Sequence, residues 1–169
     1  MTETSDSRND PAGATNTQQG KFAIHKIYVK DLSFETPNSP DVFQDEWQPS
    51  VNMDISNTAR DLGKPYYEVV LTATVTVTSG DKTLYLVEVQ QAGIFHIEGV
   101  EDEALHHLTA TACPNILFPF AREVISDLVI RGGFPQLLLA PVNFEALYLQ
   151  QHQQQAAEVT QVAEEQKTH

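Results

Sequence analysis

Apolar and polar residues alternate along the first hundred positions and then take up a helical spacing, so strands precede helices in this chain. The clearest alternation sets Val69, Leu71, Ala73, Val75 and Val77 against Thr72, Thr74, Thr76 and Thr78, and it stops at Ser79, Gly80 and Asp81, which predict a hairpin turn. The return arm, Thr83 to Gln91, puts Tyr85, Val87 and Val89 on one face and Leu84, Leu86 and Glu88 on the other. Both faces are partly apolar, so something beyond the strand has to cover them. Upstream, Val51, Met53 and Ile55 alternate with Asn52, Asp54 and Ser56, a strand with one buried face. Between Lys21 and Glu35 the phase of Phe22 and Ile24 slips near His25 and Lys26 before Ile27 and Val29, which predicts a strand with a bulge. The segment Thr36 to Pro49 holds three prolines around Val42, Phe43 and Trp47, so large aromatics sit in a loop.

After Gly99 the spacing becomes helical. Glu101, Asp102 and Glu103 suit a helix N-terminus ahead of Ala104 to Ala112. A longer helix starts near Pro114, with an apolar stripe of Ile116, Leu117, Phe120, Ala121, Val124, Ile125, Leu128 and Val129, and ends at Gly132 and Gly133. Phe134 to Pro141 is an apolar connector, and Asn143 is a good N-cap for a last helix carrying Phe144, Leu147 and Tyr148. Strands first and helices last indicate an α+β domain with the helices on one side of the sheet.

The 169 residues suffice for one domain with tails. Residues 1–20 have too little to bury to offset roughly 1 to 2 kcal/mol per residue of backbone entropy, so they are expected to be a disordered extension. Residues 151–169 form a polar Gln/Glu-rich tail, expected to be a fraying helix and then disordered, which leaves 21–150 as the domain. The net charge of -13 repels phosphate backbones and anionic lipid and makes nucleic acid an unexpected partner. Fourteen carboxylates fall between Asp31 and Glu103, against Arg60, Lys64 and Lys82. That excess reads either as a face for a basic partner or as a solubilising surface. Met1 to Gly20 has no basic segment leading into an apolar run and no stretch is apolar enough to span a bilayer, so a cytoplasmic protein without membrane insertion is expected.

Catalytic chemistry finds no support. Cys113 is the sole cysteine, and next to Pro114 it reads as a small apolar core residue. The histidines, such as His106 and His107, lack the spacing of a metal chelate. Gly132 and Gly133 follow a helix instead of opening one, so their amides are wrongly placed to cradle phosphate. Carboxylate pairs such as Asp45 and Glu46 read as a solvated acidic face. Surplus apolar surface and surplus negative charge describe a binding protein, without cofactor or metal, and not an enzyme.

Four runs, in order, closely resemble the SecB protein-export chaperone family: Ile27 to Glu35, Glu88 to Phe95, Cys113 to Glu123 and Phe134 to Leu147. With the elements between them they cover about residues 21–150, leaving the N-terminal extension outside. The resemblance implies a four-stranded antiparallel sheet with long C-terminal helices, assembled as a homotetramer, a dimer of dimers. Val87, Val89 and Gln91 match family positions between subunits, although many relatives carry cysteine where Val87 stands, and the stripe of Phe120, Val124 and Leu128 also asks for a subunit partner.

The family implies a chaperone that holds unfolded preproteins in apolar grooves, keeps them competent for translocation and hands them to SecA, the motor ATPase of the export translocase. Groove candidates are Phe22, Ile24, Tyr28, Phe34, Phe43, Trp47, Phe118, Phe134 and Leu137, each with ordinary core as its alternative. Phe43 and Trp47 stand out because a Pro-bounded loop is a poor place for core aromatics. Asp31, Glu35, Leu86 and Glu88 match the positions on which the basic, zinc-containing tail of SecA docks, so any zinc belongs to that partner. Three other readings compete: a SecB-like chaperone dedicated to a toxin–antitoxin partner, against which Asp31, Glu35 and Glu88 argue; a small α+β enzyme; and an oligomeric scaffold whose apolar surface is consumed by assembly.

Overall fold

The computed structural model describes residues 20–165, with side chains through residue 154. Four strands, β1 (Lys21–Glu35), β2 (Pro49–Asp61), β3 (Tyr66–Ser79) and β4 (Lys82–Glu98), form one antiparallel sheet in the order β1-β4-β3-β2. Three helices follow: α1 (Asp102–Ala110), α2 (Ala112–Arg131) and α3 (Phe144–Glu165). This is the expected α+β arrangement. The expected disordered extension lies outside the described residues except for Gly20, and α3 carries the polar tail as a helix to Glu165.

Strand pairing sorts the side chains onto two faces. On the inner face Val69, Leu71, Ala73, Val75 and Val77 lie beside Val87, Val89 and Phe95, and all are buried under Cys113, Leu117, Ala121, Ile125 and Val129 of α2. The outer face carries Thr72, Thr74 and Thr76 opposite Gln90, Glu88 and Leu86. Threonine suits such a surface, because its branched carbon favours a strand while its hydroxyl remains in water.

The expected bulge in β1 is found between Ile24 and Lys26, leaving His25 as the extra residue, and a second, between Val29 and Asp31, leaves Lys30 extra. Leu84, expected on the outer face, is buried instead. Tyr85 pairs with Val77 while Thr83 pairs with Thr78, so Leu84 is itself the extra residue of a bulge. Strand β4 also runs on to Glu98, past the Gln91 at which the alternation ends. Its pairing with β1 and β3 continues through Ala92 and Gly93, where backbone hydrogen bonding needs no apolar side chain.

The cap of α3 and the end of α2 hold as expected, while α2 begins at Ala112, two residues before Pro114. Ala146 donates its backbone N–H to Asn143 Oδ1 at 3.0 Å, the capping bond expected there. Gly132 donates its N–H to Leu128 O at 2.8 Å, and Gly133, at φ 86°, takes the left-handed turn that closes α2. Helix α2 is about 30 Å long at 1.5 Å per residue and lies over β3 and β4, so the inner faces of the two edge strands are only partly covered.

Candidate functional site

The β1–β2 connection must cross from one edge of the sheet to the other, about 14 Å for three strand spacings. It is pinned on the way. Asn38 Nδ2 donates to Thr83 O at 2.9 Å, Lys82 Nζ pairs with Asp45 Oδ2 at 2.6 Å, and the Gln48 N–H donates to Ser79 Oγ at 3.0 Å. The carboxylate of Asp45 also raises the pKa of the exposed Lys82 ammonium. A short turn of helix at Asp41–Gln44 turns Val42 into the core and Phe43 outward, and Trp47 Nε1 donates to Val42 O at 2.6 Å.

This crossing assembles an aromatic cluster at one end of the inner face. Phe134 is its hub, with ring centroids 4.7 Å from Tyr85, 5.1 Å from Phe43 and 5.4 Å from Trp47. Phe34 stacks on Tyr85 at 5.8 Å. Phe134 and Tyr85 are buried, and burial raises the Tyr85 phenol pKa, whereas Phe43 remains 45% exposed above them. Loop aromatics packed on a buried base form a greasy shelf open to water. Leu137 lies half-buried against the same core.

The other groove candidates lie elsewhere. Phe22 (39% exposed) and Ile24 (49%) sit on the inner side of β1 but at its opposite end from Phe34, roughly 26–33 Å away by their partners on β4. With Val29 and Leu32, also exposed, they form a strip along the uncovered edge. Phe118 is corrected to core: it is buried on α2 and packs 6.0 Å from Phe144 of α3. Tyr28 is on the outer face, where its hydroxyl donates to Glu68, and is not part of the apolar strip.

Asp31, Glu35, Leu86 and Glu88 share one half of the outer face. Glu35 pairs directly with Leu86, Asp31 with Gln90, and Glu88 lies between Ser33 and Thr74, whose Oγ1 donates to Glu88 Oε2 at 2.9 Å. Asp54 stands beyond Thr74 on β2, so four carboxylates converge there.

The interface candidates divide. Val87 and Val89 are fully buried and Gln91 nearly so, under this chain's own α2, so none can touch a second copy directly. Direct contact at these three positions is thereby corrected: inward alternation spends them on the core. Gln91 instead donates Nε2 to Tyr28 O at 2.9 Å, which ties β4 to the edge strand. Phe120 is 43% exposed, with Val124 and Leu128 half-buried beside it, so this flank of α2 is available.

The sequence pattern did not single out Tyr85 as the base of the shelf or Gly132 as the gap that admits Phe34, because both roles depend on chain segments far apart. Nor did it single out the Asp45–Lys82 pair that pins the loop. Burial pushes the Cys113 thiol up to about 12, so no thiolate nucleophile forms there at neutral pH. Among the described residues no group of three or more His, Cys, Asp or Glu is placed to hold a metal ion, and no helix is long and apolar enough to cross a membrane.

A family model described as preprotein translocase subunit SecB matches residues 15–155. The protein-export protein SecB of Nitrosococcus oceani is 60% identical over 148 residues, covering 84% of this chain and 90% of that protein. That of Pseudomonas syringae pv. syringae is 51% identical over 159 residues, covering 93% and 98%. Among solved structures, a SecB-like chaperone of Mycobacterium tuberculosis in complex with an antitoxin peptide superposes with a TM-score of 0.61 at 17% identity, covering 72% of this chain and 91% of that one. At that identity the superposition speaks for the fold.

Proposed function

This chain belongs to the SecB family, and from that premise we propose that it works as a cytoplasmic export chaperone: it holds unfolded preproteins and delivers them to the translocase motor SecA. It does so without catalysis and without a cofactor of its own. The observation that carries the reading is the half-exposed Phe43 ring lying on Trp47 and Phe134. At about 25 cal/mol per Å² of apolar area removed from water, such a surface gains several kcal/mol from many sequences without reading any one of them. Extended client backbone can add pairing at a free strand edge.

The acidic half of the outer face, with Asp31, Glu35 and Glu88 around Leu86, is the proposed dock for the basic, zinc-containing tail of SecA. A homotetramer, a dimer of dimers, is proposed to cover the exposed strip of β1 and the flank of α2 at Phe120, Val124 and Leu128. The domain proposed to do this work is 21–150.

Trp47 is the only tryptophan and sits in the shelf, so its emission reports occupancy directly. Adding a denatured secretory precursor should shift Trp47 fluorescence and suppress aggregation of the precursor at stoichiometric chaperone. Unchanged aggregation would sink the proposal. A pulldown that recovers one small antitoxin-like partner, and no varied precursors, would assign the dedicated-chaperone role instead.

A further inference from the structure

The outer sheet face carries two halves of opposite charge, and only the acidic half enters the function above. Toward the β2–β3 turn, Lys21 and Lys26 of β1 and Arg60 of β2 lie on this face by register, and the bulge residue Lys30 reaches over it to Glu68. Lys64 stands in the adjoining turn. All five are exposed, and they are half of the ten Lys and Arg in a chain of net charge -13.

Nearby carboxylates offset them only in part: Glu68 and Glu98 lie on the same face, Glu98 opposite Lys21 in register, and Asp61 and Asp102 stand beside Lys64 at the turn. Glu68 is buried beneath and shared, at 2.9 Å from Lys30 and 3.2 Å from Arg60. Asp61 accepts the Gly63 backbone N–H at 2.6 Å, and Glu98 lies 3.6 Å from His96. Lys21, Lys26 and Lys64 make no ion pair among the described residues. Rings lie among these cations: the exposed Tyr66 has His25 edge-on at 5.5 Å and His96 at 5.3 Å.

Six residues of β4 separate Glu88 from Ile94, the partner of Lys26, which is about 20 Å. That is roughly two Debye lengths at 0.1 M salt, so Glu88 is largely screened from Lys26, whereas Asp31, next to Lys30 in the chain, stands where the two halves meet.

We propose that this half is a second docking surface, which takes an acidic segment of a partner polypeptide. Exposed ammonium and guanidinium groups supply the attraction, and the exposed Tyr66 ring, with His25 and His96 edge-on to it, offers an aromatic contact for an apolar residue within that segment. A short acidic peptide lies within the local field. A nucleic acid strand extends past it into the field of the remaining carboxylates, so the polypeptide is the favoured class.

The probe is a fluorescein-labelled decaglutamate peptide titrated with the full chain and followed by anisotropy. Saturable binding is expected, weakened about tenfold or more by Lys21→Glu with Lys26→Glu, and lost as salt rises from about 0.05 to about 0.3 M. Glu88→Lys, on the other half, should leave it no weaker. Lys26→Gln with Lys64→Gln, which only neutralises two exposed groups, should weaken it in the same direction and guards against misfolding of the charge-reversed variant. The proposal is overturned if decaglutamate does not bind, if both variants bind it like the parent, or if a thymidine decamer binds this half more tightly.

Discussion

Gly132 has no side chain because Phe34 occupies that space: a Cβ built there would lie 2.2 Å from Phe34 Cζ. The Gly132→Ala chain must expel the ring or shift α2, so a loss of about 1–3 kcal/mol is expected in urea unfolding followed by Trp47 emission. Truncation at Phe43 tests the opposite case. With its ring half in water, Phe43→Ser should cost little stability, yet weaken precursor binding several-fold. Burial separates the two roles, and burial could not be read from the loop's composition, which flagged Phe43 and Trp47 alike.

Glu68 is the buried charge of the outer face. Hydrogen bonds from Tyr28 and then Lys30 hold its carboxyl below the usual 4.5, and the same contact raises the Tyr28 phenol. A lowered carboxyl pKa contributes stability that is present above about pH 4.5 and lost as pH falls through the folded value. Glu68→Gln should therefore destabilise the chain by about 1–3 kcal/mol at pH 7. The gap between variant and parent should narrow in acid, as measured by urea midpoints across pH 3 to 7.

At the scale of elements, β1 is the strand whose environment is least complete. Its inner face carries Phe22, Ile24, Val29 and Leu32, but α2 covers only the central strands. A second copy seated on this strip would bury it, so Ile24→Glu with Leu32→Glu should lower the mass found by light scattering while leaving the helical circular dichroism unchanged. If the mass does not change, the strip is not a subunit contact. The strand and its first bulge were legible in the slip of alternation at His25. The bulge at Lys30 leaves the same slip, Val29 to Leu32 across Lys30 and Asp31, whereas the one at Leu84 leaves no mark, because Leu84, Tyr85 and Leu86 are apolar whichever way they face.

Across the whole molecule, the two interactions proposed for the acidic half and the aromatic shelf answer to different forces. Raising salt should weaken motor docking, and Glu88→Lys should weaken it further at low salt, while precursor binding survives both; calorimetry of each partner measures this separately. On the proposed docking, the basic half would bound the site, because a cationic tail crossing from Glu88 toward Lys26 would meet repulsion there.

Periodicity and turn chemistry determined the hairpin at Gly80, the inward face of β3, the Asn143 cap and the end of α2, since each depends on neighbours a few residues away. Pairing in the tertiary structure decided which apolar residues stay in water. Val87 and Phe22 are both apolar and strand-forming, yet one lies under α2 and the other beyond its reach. A side chain's burial is set by what the rest of the chain lays over it, and that distance in space is not encoded in any local pattern.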